Sequence, residues 1–127
     1  REGKPYAIYV KGYSMRPFIE HTRDRVFLEK RDNYNVGDAV LAQISPGHYV
    51  LHRIIQKRSD GFVLQGDGNV KGVEFCREED VSGVVTQYIR PNRIIPADDP
   101  QLVRRIKLWR KLRPIRRYLL FIYKTII

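Results

Sequence analysis

Three residues of this 127-residue chain carry the functional groups of a serine hydrolase: Ser14, His52 and Asp67. A serine hydroxyl becomes a nucleophile when a base removes its proton, and a third group usually holds that base in position. In this chain His52 is the candidate base and Asp67 the candidate orienting residue. The order of these three residues along the chain does not argue against a triad, because catalytic triads occur in several orders. The residue types therefore raise the hypothesis of nucleophilic catalysis at Ser14.

The candidate nucleophile is predicted to lie at a bend. Ser14 follows a predicted strand and the flexible Gly12, and Pro17 comes three residues later. Backbone N–H groups at such a bend, chiefly that of Ser14, are suited to stabilising an oxyanion. We therefore assign Gly12 and Met15 to the oxyanion and substrate pocket. The alternative is that Ser14 only caps a short helix and that Met15 belongs to the core.

The candidate base lies within a predicted strand. His52 shares a strand face with Val50 and Ile54, because side chains two residues apart point to the same side. Asp67 lies in a Gly-Asp-Gly-Asn turn on a neighbouring hairpin, from which its carboxylate could reach His52. Each residue has a structural alternative, as a satisfied core histidine and as a common turn residue. Asp38, in Val-Gly-Asp, is the rival carboxylate.

The elements that must position these residues are predicted to be β-strands. Alternation and β-forming residues predict strands at 5–11, 25–30, 38–44, 48–57, 62–65 and 80–90. Turn residues such as Ser-Pro-Gly and Gly-Asp-Gly-Asn separate them. Many short strands with close turns predict a mainly β fold, with a small coiled or partly closed antiparallel sheet.

The C-terminal part of the chain has a different character. Residues 91–101 are predicted to be a loop or linker between a β domain at 1–90 and a tail at 102–127. Apolar residues at helical spacing, with a break at Pro114, predict one kinked amphipathic helix or two. The Asp-Asp-Pro sequence just before the tail is typical of a helix start.

The net charge of +10 is concentrated in this tail. Residues 102–127 contain nine of the 24 Lys and Arg residues and no acidic residue, which leaves 15 basic against 14 acidic residues elsewhere. A basic amphipathic tail can pack on the sheet with its charges in solvent, lie on an anionic membrane surface, or contact nucleic acid phosphates. We expect packing or peripheral membrane contact ahead of nucleic acid binding.

Composition argues against several classes of protein. A single cysteine, Cys76, allows no internal disulfide and argues against a cysteine-rich metal site. No apolar run reaches the roughly 18 residues of a transmembrane helix, and no secretory signal peptide is visible. We therefore expect a protein without cofactor or metal that is cytoplasmic or peripheral to a membrane.

Four short motifs, in this order, resemble those of the signal peptidase I and LexA-type peptidase group. They are Gly-Tyr-Ser-Met at 12–15, Val-Gly-Asp with an apolar run from 36, His-Arg at 52–53 and Gly-Asp-Gly-Asn at 66–69. The His-Arg pair is similar to the archaeal and endoplasmic-reticulum branch of signal peptidases, whereas bacterial members and LexA-type repressors use a lysine base. The branch has Gly-Asp-Asn-Asn where this chain has Gly-Asp-Gly-Asn.

The resemblance implies a mainly β peptidase fold in which Ser14 is the nucleophile, His52 the general base and Asp67 its orienting residue. It implies a serine endopeptidase acting on an extended polypeptide, either a leader peptide or a segment of its own chain. The alternative is a non-catalytic, phage-repressor-like regulatory or binding module whose basic tail contacts DNA or membrane.

Overall fold

The described strands pair into one antiparallel sheet, and two helices follow it. The computed structural model of the chain describes residues 5–9, 14–20 and 23–126. Its strands are β1 (Tyr6–Tyr9), β2 (Arg25–Glu29), β3 (Ala39–Ser45), β4 (His48–Arg58), β5 (Gly61–Gln65), β6 (Glu74–Cys76), β7 (Val81–Arg90) and β8 (Arg93–Pro96). The helices are α1 (Pro100–Lys111) and α2 (Arg116–Ile126), with short 3-10 turns at Glu78–Asp80 and Arg113–Ile115.

Strand β7 lies at the centre of the sheet. It pairs with β2 along one edge, and along its other edge with β3 near its start and β8 near its end. The order β1-β2-β7-β3-β4-β5-β6 leaves the sheet open between β1 and β6. The predicted mainly β fold, an antiparallel sheet with C-terminal helices, is therefore confirmed.

Several strand pairs of the sheet are irregular. The register shifts once within each of the pairs β2–β7, β3–β7 and β4–β5. An extra residue on one strand bends that strand and increases its local right-handed twist. The two long strands, β4 and β7, can therefore curve while each stays paired on both sides.

Two apolar clusters stabilise the sheet. The first combines Met15 and Ile19, which precede β2, with Leu102 and Ile106 of α1. The second is formed by residues of the β3, β4, β5 and β7 region, among them Phe62. Burying a Leu or Ile side chain contributes about 2 kcal/mol relative to leaving it exposed. Helix α1 therefore shares a core with the sheet. This is the first of the alternatives given for the tail, in which its apolar side packs on the sheet.

The loop or linker predicted at 91–101 contains ordered elements instead. Strand β8 pairs with β7 in a tight hairpin, and α1 already begins at Pro100. Ile95 of β8 is buried in the first cluster. The prolines at 91 and 96 resemble loop signals in the sequence. They lie in the turn and at the last position of the strand, where a missing N–H disturbs the ladder least.

The tail forms two helices, which was one of the predicted alternatives. Asp99 caps α1 by accepting a hydrogen bond of 3.0 Å from the backbone N–H of Leu102, and Pro100 opens the first turn. The interruption falls around Pro114, which lacks the N–H that a continuous helix needs. Within the described part of the chain, neither helix combines the length and the apolarity needed to cross a membrane.

Candidate functional site

The segment that contains Ser14 is a turn anchored to the loop at residues 66–69, here called the 66–69 loop. The Ser14 carbonyl oxygen accepts a hydrogen bond of 2.7 Å from the N–H of Gly68. The sulfur of Met15 accepts from the N–H of Asp67 at 3.5 Å. Ser14 and Met15, the described residues of the Gly-Tyr-Ser-Met motif, therefore contact the Gly-Asp-Gly-Asn motif, although 50 residues separate the two motifs in sequence.

Gly66 allows this contact because it has no side chain. A Cβ at position 66 would overlap the Ser14 carbonyl oxygen and would lie 2.9 Å from Ser14 Cβ. Real Cβ atoms do not approach other atoms this closely, so any larger residue would push the turn away. The first glycine of the Gly-Asp-Gly-Asn motif is therefore required by close backbone approach to the candidate nucleophile.

His52 directly precedes Arg53 in β4, the strand that pairs with β5 just before Gly66. In the β4–β5 pair Arg53 is opposite Gln65, and extending this register by one residue puts His52 opposite Gly66. By this extension we expect Ser14 and His52 to lie near the same glycine. Among the described residues, no hydrogen bond links the Ser14 hydroxyl to His52. Hydrogen bonds of this kind are often long in free enzymes and tighten when substrate binds.

The imidazole of His52 is buried beside a carboxylate. Its Nδ1 lies 2.7 Å from Oε1 of Glu74, at ion-pair distance but without the alignment of a good hydrogen bond. Burial lowers the pKa of His52 below its ordinary value, and the charges of Glu74 and Asp67 oppose this shift only in part. A lowered pKa favours the neutral imidazole, which is the form that a general base requires.

Asp67 binds Arg53 rather than His52. Its two carboxylate oxygens accept hydrogen bonds of 2.8 Å from Nε and 2.6 Å from Nη2 of the guanidinium, and both side chains are buried. Burial acts to lower the pKa of Arg53, but the charge of Asp67 outweighs it and raises the pKa. The prediction that Asp67 contacts His52 is therefore corrected. Both carboxylate oxygens of Asp67 instead accept hydrogen bonds from the planar guanidinium of Arg53.

Glu74 is the carboxylate that sequence reasoning missed. It begins β6, a strand of three residues that pairs with β5, and lies opposite Leu64. A strand this short gives no readable alternation, and the resemblance assigns no role to this position. The one sequence feature that could have indicated it was an acidic residue shortly after the Gly-Asp-Gly-Asn turn.

The rival carboxylate Asp38 has a structural contact instead. It accepts a hydrogen bond of 2.8 Å from the N–H of Asn35 and closes the loop before β3.

The C-terminal helices hold the outer side of the 66–69 loop. The indole N–H of Trp109 donates to the carbonyl oxygen of Asp67 at 2.7 Å. Arg116 donates to the carbonyl oxygen of Asn69 at 3.2 Å and to the side chain of Gln65 at 3.3 Å. Its guanidinium also lies over the Trp109 ring, 5.3 Å from the centroid. The tail therefore supports the loop that contacts Ser14.

The remaining candidates divide into three groups. Gly12 and His21 lie outside the described residues, so the oxyanion role of Gly12 stays a prediction. Met15 is 1% exposed and belongs to the first apolar cluster, which fits the core alternative better than a substrate pocket. Cys76 is buried, and burial raises the pKa of its thiol to about 11, so it is no competing nucleophile near neutral pH.

A substitution at Asp67 tests its structural role as the counterion of Arg53. Asp67→Asn leaves the buried charge of Arg53 without its counterion, and we expect it to lower the free energy of unfolding by about 3 kcal/mol. The control Asp60→Asn removes an exposed carboxylate 3.7 Å from Arg58, and we expect a change below about 0.5 kcal/mol. Urea denaturation measures both. Equal stability of Asp67→Asn and the parent would contradict the structural role.

Comparisons of the sequence with protein-family models and with curated proteins found no match. The assignment to a peptidase group therefore stays a prediction from the four motifs, and the function has to be argued from the geometry of the site.

Proposed function

We propose that the protein is a serine endopeptidase in which Ser14 is the nucleophile and His52 is the general base. One observation carries the proposal. The buried His52 has a carboxylate 2.7 Å from its Nδ1, and its strand pairs with the strand that leads into Gly66, the glycine in contact with the Ser14 turn. The contact between the two sequence motifs supports the same arrangement, because it joins residues that a chance resemblance would not bring together.

The chemistry follows from the position of Glu74. Because Nδ1 of His52 faces this carboxylate, Nε2 is the nitrogen left to accept the Ser14 proton. Ser14 Oγ would then attack the scissile carbonyl carbon, and the His52 imidazolium would return the proton to the leaving amine. Water would hydrolyse the acyl-enzyme with His52 again as base. The negative charges of Glu74 and Asp67 both favour the imidazolium that forms during each step.

The roles of the two carboxylates differ from those expected. Glu74 is assigned to orient His52, as the third group of a triad does. Asp67 is assigned to hold the 66–69 loop through Arg53, and it acts on His52 only through its charge. The N–H of Ser14 remains the oxyanion donor expected from the sequence.

The substrate in this proposal is an extended polypeptide. Strand β1 is the last strand on one side of the described sheet. The chain runs from β1 towards Ser14, which brings that edge close to the nucleophile in sequence. In this proposal the peptide is added as a further strand along a sheet edge, where it would gain main-chain hydrogen bonds without a demand for particular side chains.

A second candidate function is a non-catalytic binding module. The observation in its favour is that, in residues 14–20 and 23–126, the Ser14 hydroxyl and His52 share no hydrogen bond. In that case the Ser14 turn has only a structural role, and binding would reside in the basic tail. A test of Ser14 reactivity distinguishes the two candidates.

A fluorophosphonate probe, which modifies activated serines, tests the nucleophile without knowledge of the substrate. We expect the parent to be labelled at Ser14, as identified by mass spectrometry, and Ser14→Ala to be unlabelled. His52→Ala should slow labelling by about 10²-fold or more, because the general base is lost. Ser59→Ala, at an exposed turn, serves as control and should label like the parent. Labelling that persists in Ser14→Ala would contradict the proposal.

The pH dependence of labelling tests the environment of His52. Because burial lowers the pKa of His52, the rate should fall only as the pH drops below about 6.5, where the base becomes protonated. Glu74→Gln removes a charge that raises this pKa, so the acid limb should move to still lower pH and the plateau rate should fall.

Glu78→Gln, an exposed acid in the next turn, is the matched control and should leave the profile unchanged. An acid limb above pH 6.5 in the parent would contradict the lowered pKa of His52. No movement of the limb in Glu74→Gln would contradict the role given to Glu74.

A further inference from the structure

The C-terminal helices and the sheet form a basic cleft that the proposed peptidase reaction does not use. The cleft has a volume of about 440 Å³, and its uncharged lining residues are Ile55 and Gln65. The other lining residues are all cationic: Lys107, Arg110, Lys111, Arg113 and Arg116. No carboxylate lines it among the described residues. A concave site of this size fits a small ligand rather than an extended polymer.

Arg116 gives the cleft a buried charge that lacks a bonded counterion. Its side chain is 3% exposed, and its hydrogen bonds go to the uncharged oxygens of Gln65, Asn69 and Trp109. Its Nε has no hydrogen-bond partner within the described part of the chain. Burial lowers the pKa of Arg116; the charge of Asp67 opposes this shift only in part, and the charges of Arg113 and Arg53 add to it. A buried cation of this kind is costly unless an anion approaches it.

The identity of the ligand follows from the geometry of its donors. Guanidinium groups present planar forks of N–H donors, which match the oxygens of a phosphate group and bind it through charge-assisted hydrogen bonds. Two exposed or half-buried arginines and two lysines surround the buried one, so several oxygens of one group can be bound together.

We propose that the basic cleft between the C-terminal helices and the sheet binds a phosphate group. The phosphate belongs either to a soluble phosphate ester or to the headgroup of an anionic lipid. This site is independent of the peptidase reaction, so its test does not depend on Ser14. Through Arg116, which donates to the carbonyl oxygen of Asn69, the bound group would lie next to the 66–69 loop.

Calorimetry with pyrophosphate as probe, on the full chain at constant ionic strength, tests the site. The cleft variant Lys111→Gln/Arg113→Gln should bind pyrophosphate about tenfold more weakly, because two charge-assisted contacts are lost. The matched control Arg104→Gln/Arg117→Gln removes the same charge from exposed positions on the same helices outside the cleft. It should bind within about twofold of the parent, since only the long-range field changes.

Sedimentation with vesicles identifies the source of the phosphate. A lipid headgroup is indicated if phosphatidylglycerol vesicles, but not phosphatidylcholine vesicles, bind the parent and the control better than the cleft variant. A soluble ester is indicated if pyrophosphate shows the tenfold loss while all three proteins sediment equally.

Two results would overturn the proposal. The first is that the parent binds neither pyrophosphate nor anionic vesicles. The second is that both double variants lose binding equally for every probe, including a short DNA duplex, which would show a diffuse basic surface rather than a built site.

Discussion

The buried ion pair between Arg53 and Asp67 connects the parts of the molecule on which the candidate site depends. Arg53 comes from the middle of β4 and also donates to the carbonyl oxygen of Gly37 at 2.8 Å, so it ties the loop before β3 to the sheet. Asp67 uses its side chain for Arg53, its N–H for Met15 and its carbonyl oxygen for Trp109. A buried charge pair costs desolvation energy, and these additional bonds offset it.

The proposed catalytic arrangement follows from this pairing. Because the guanidinium binds Asp67 of the 66–69 loop, it helps to hold Gly66 and Gly68 against the Ser14 backbone. The carboxylate that contacts His52 then comes from a different strand, β6, where Glu74 is partly accessible to solvent. One carboxylate thus organises the backbone and the other faces the base. The basic tail closes the arrangement from outside through Trp109 and Arg116.

Local patterns predicted much of this fold, and long-range pairing accounts for what they missed. Alternation located six of the eight described strands, and Pro114 located the break between the helices. Strands β6 and β8 are too short for a readable period, and they form because β5 and β7 offer free edges. The motifs brought Ser14, His52 and Asp67 to one region. They could not predict whether His52 or its neighbour Arg53 would contact the Asp67 carboxylate. The two side chains point to opposite faces of β4, so the contact depends on which face of β4 packs against the 66–69 loop.

The most direct test of the central claim is the protonation state of His52, measured by nitrogen NMR on protein labelled at its three histidines. The His52 signals are assigned by their loss in His52→Gln. The account predicts a neutral ring at pH 7, with the proton on Nδ1 facing Glu74 and Nε2 free to accept the Ser14 proton. An imidazolium at pH 7, or a neutral ring with its proton on Nε2, would contradict it.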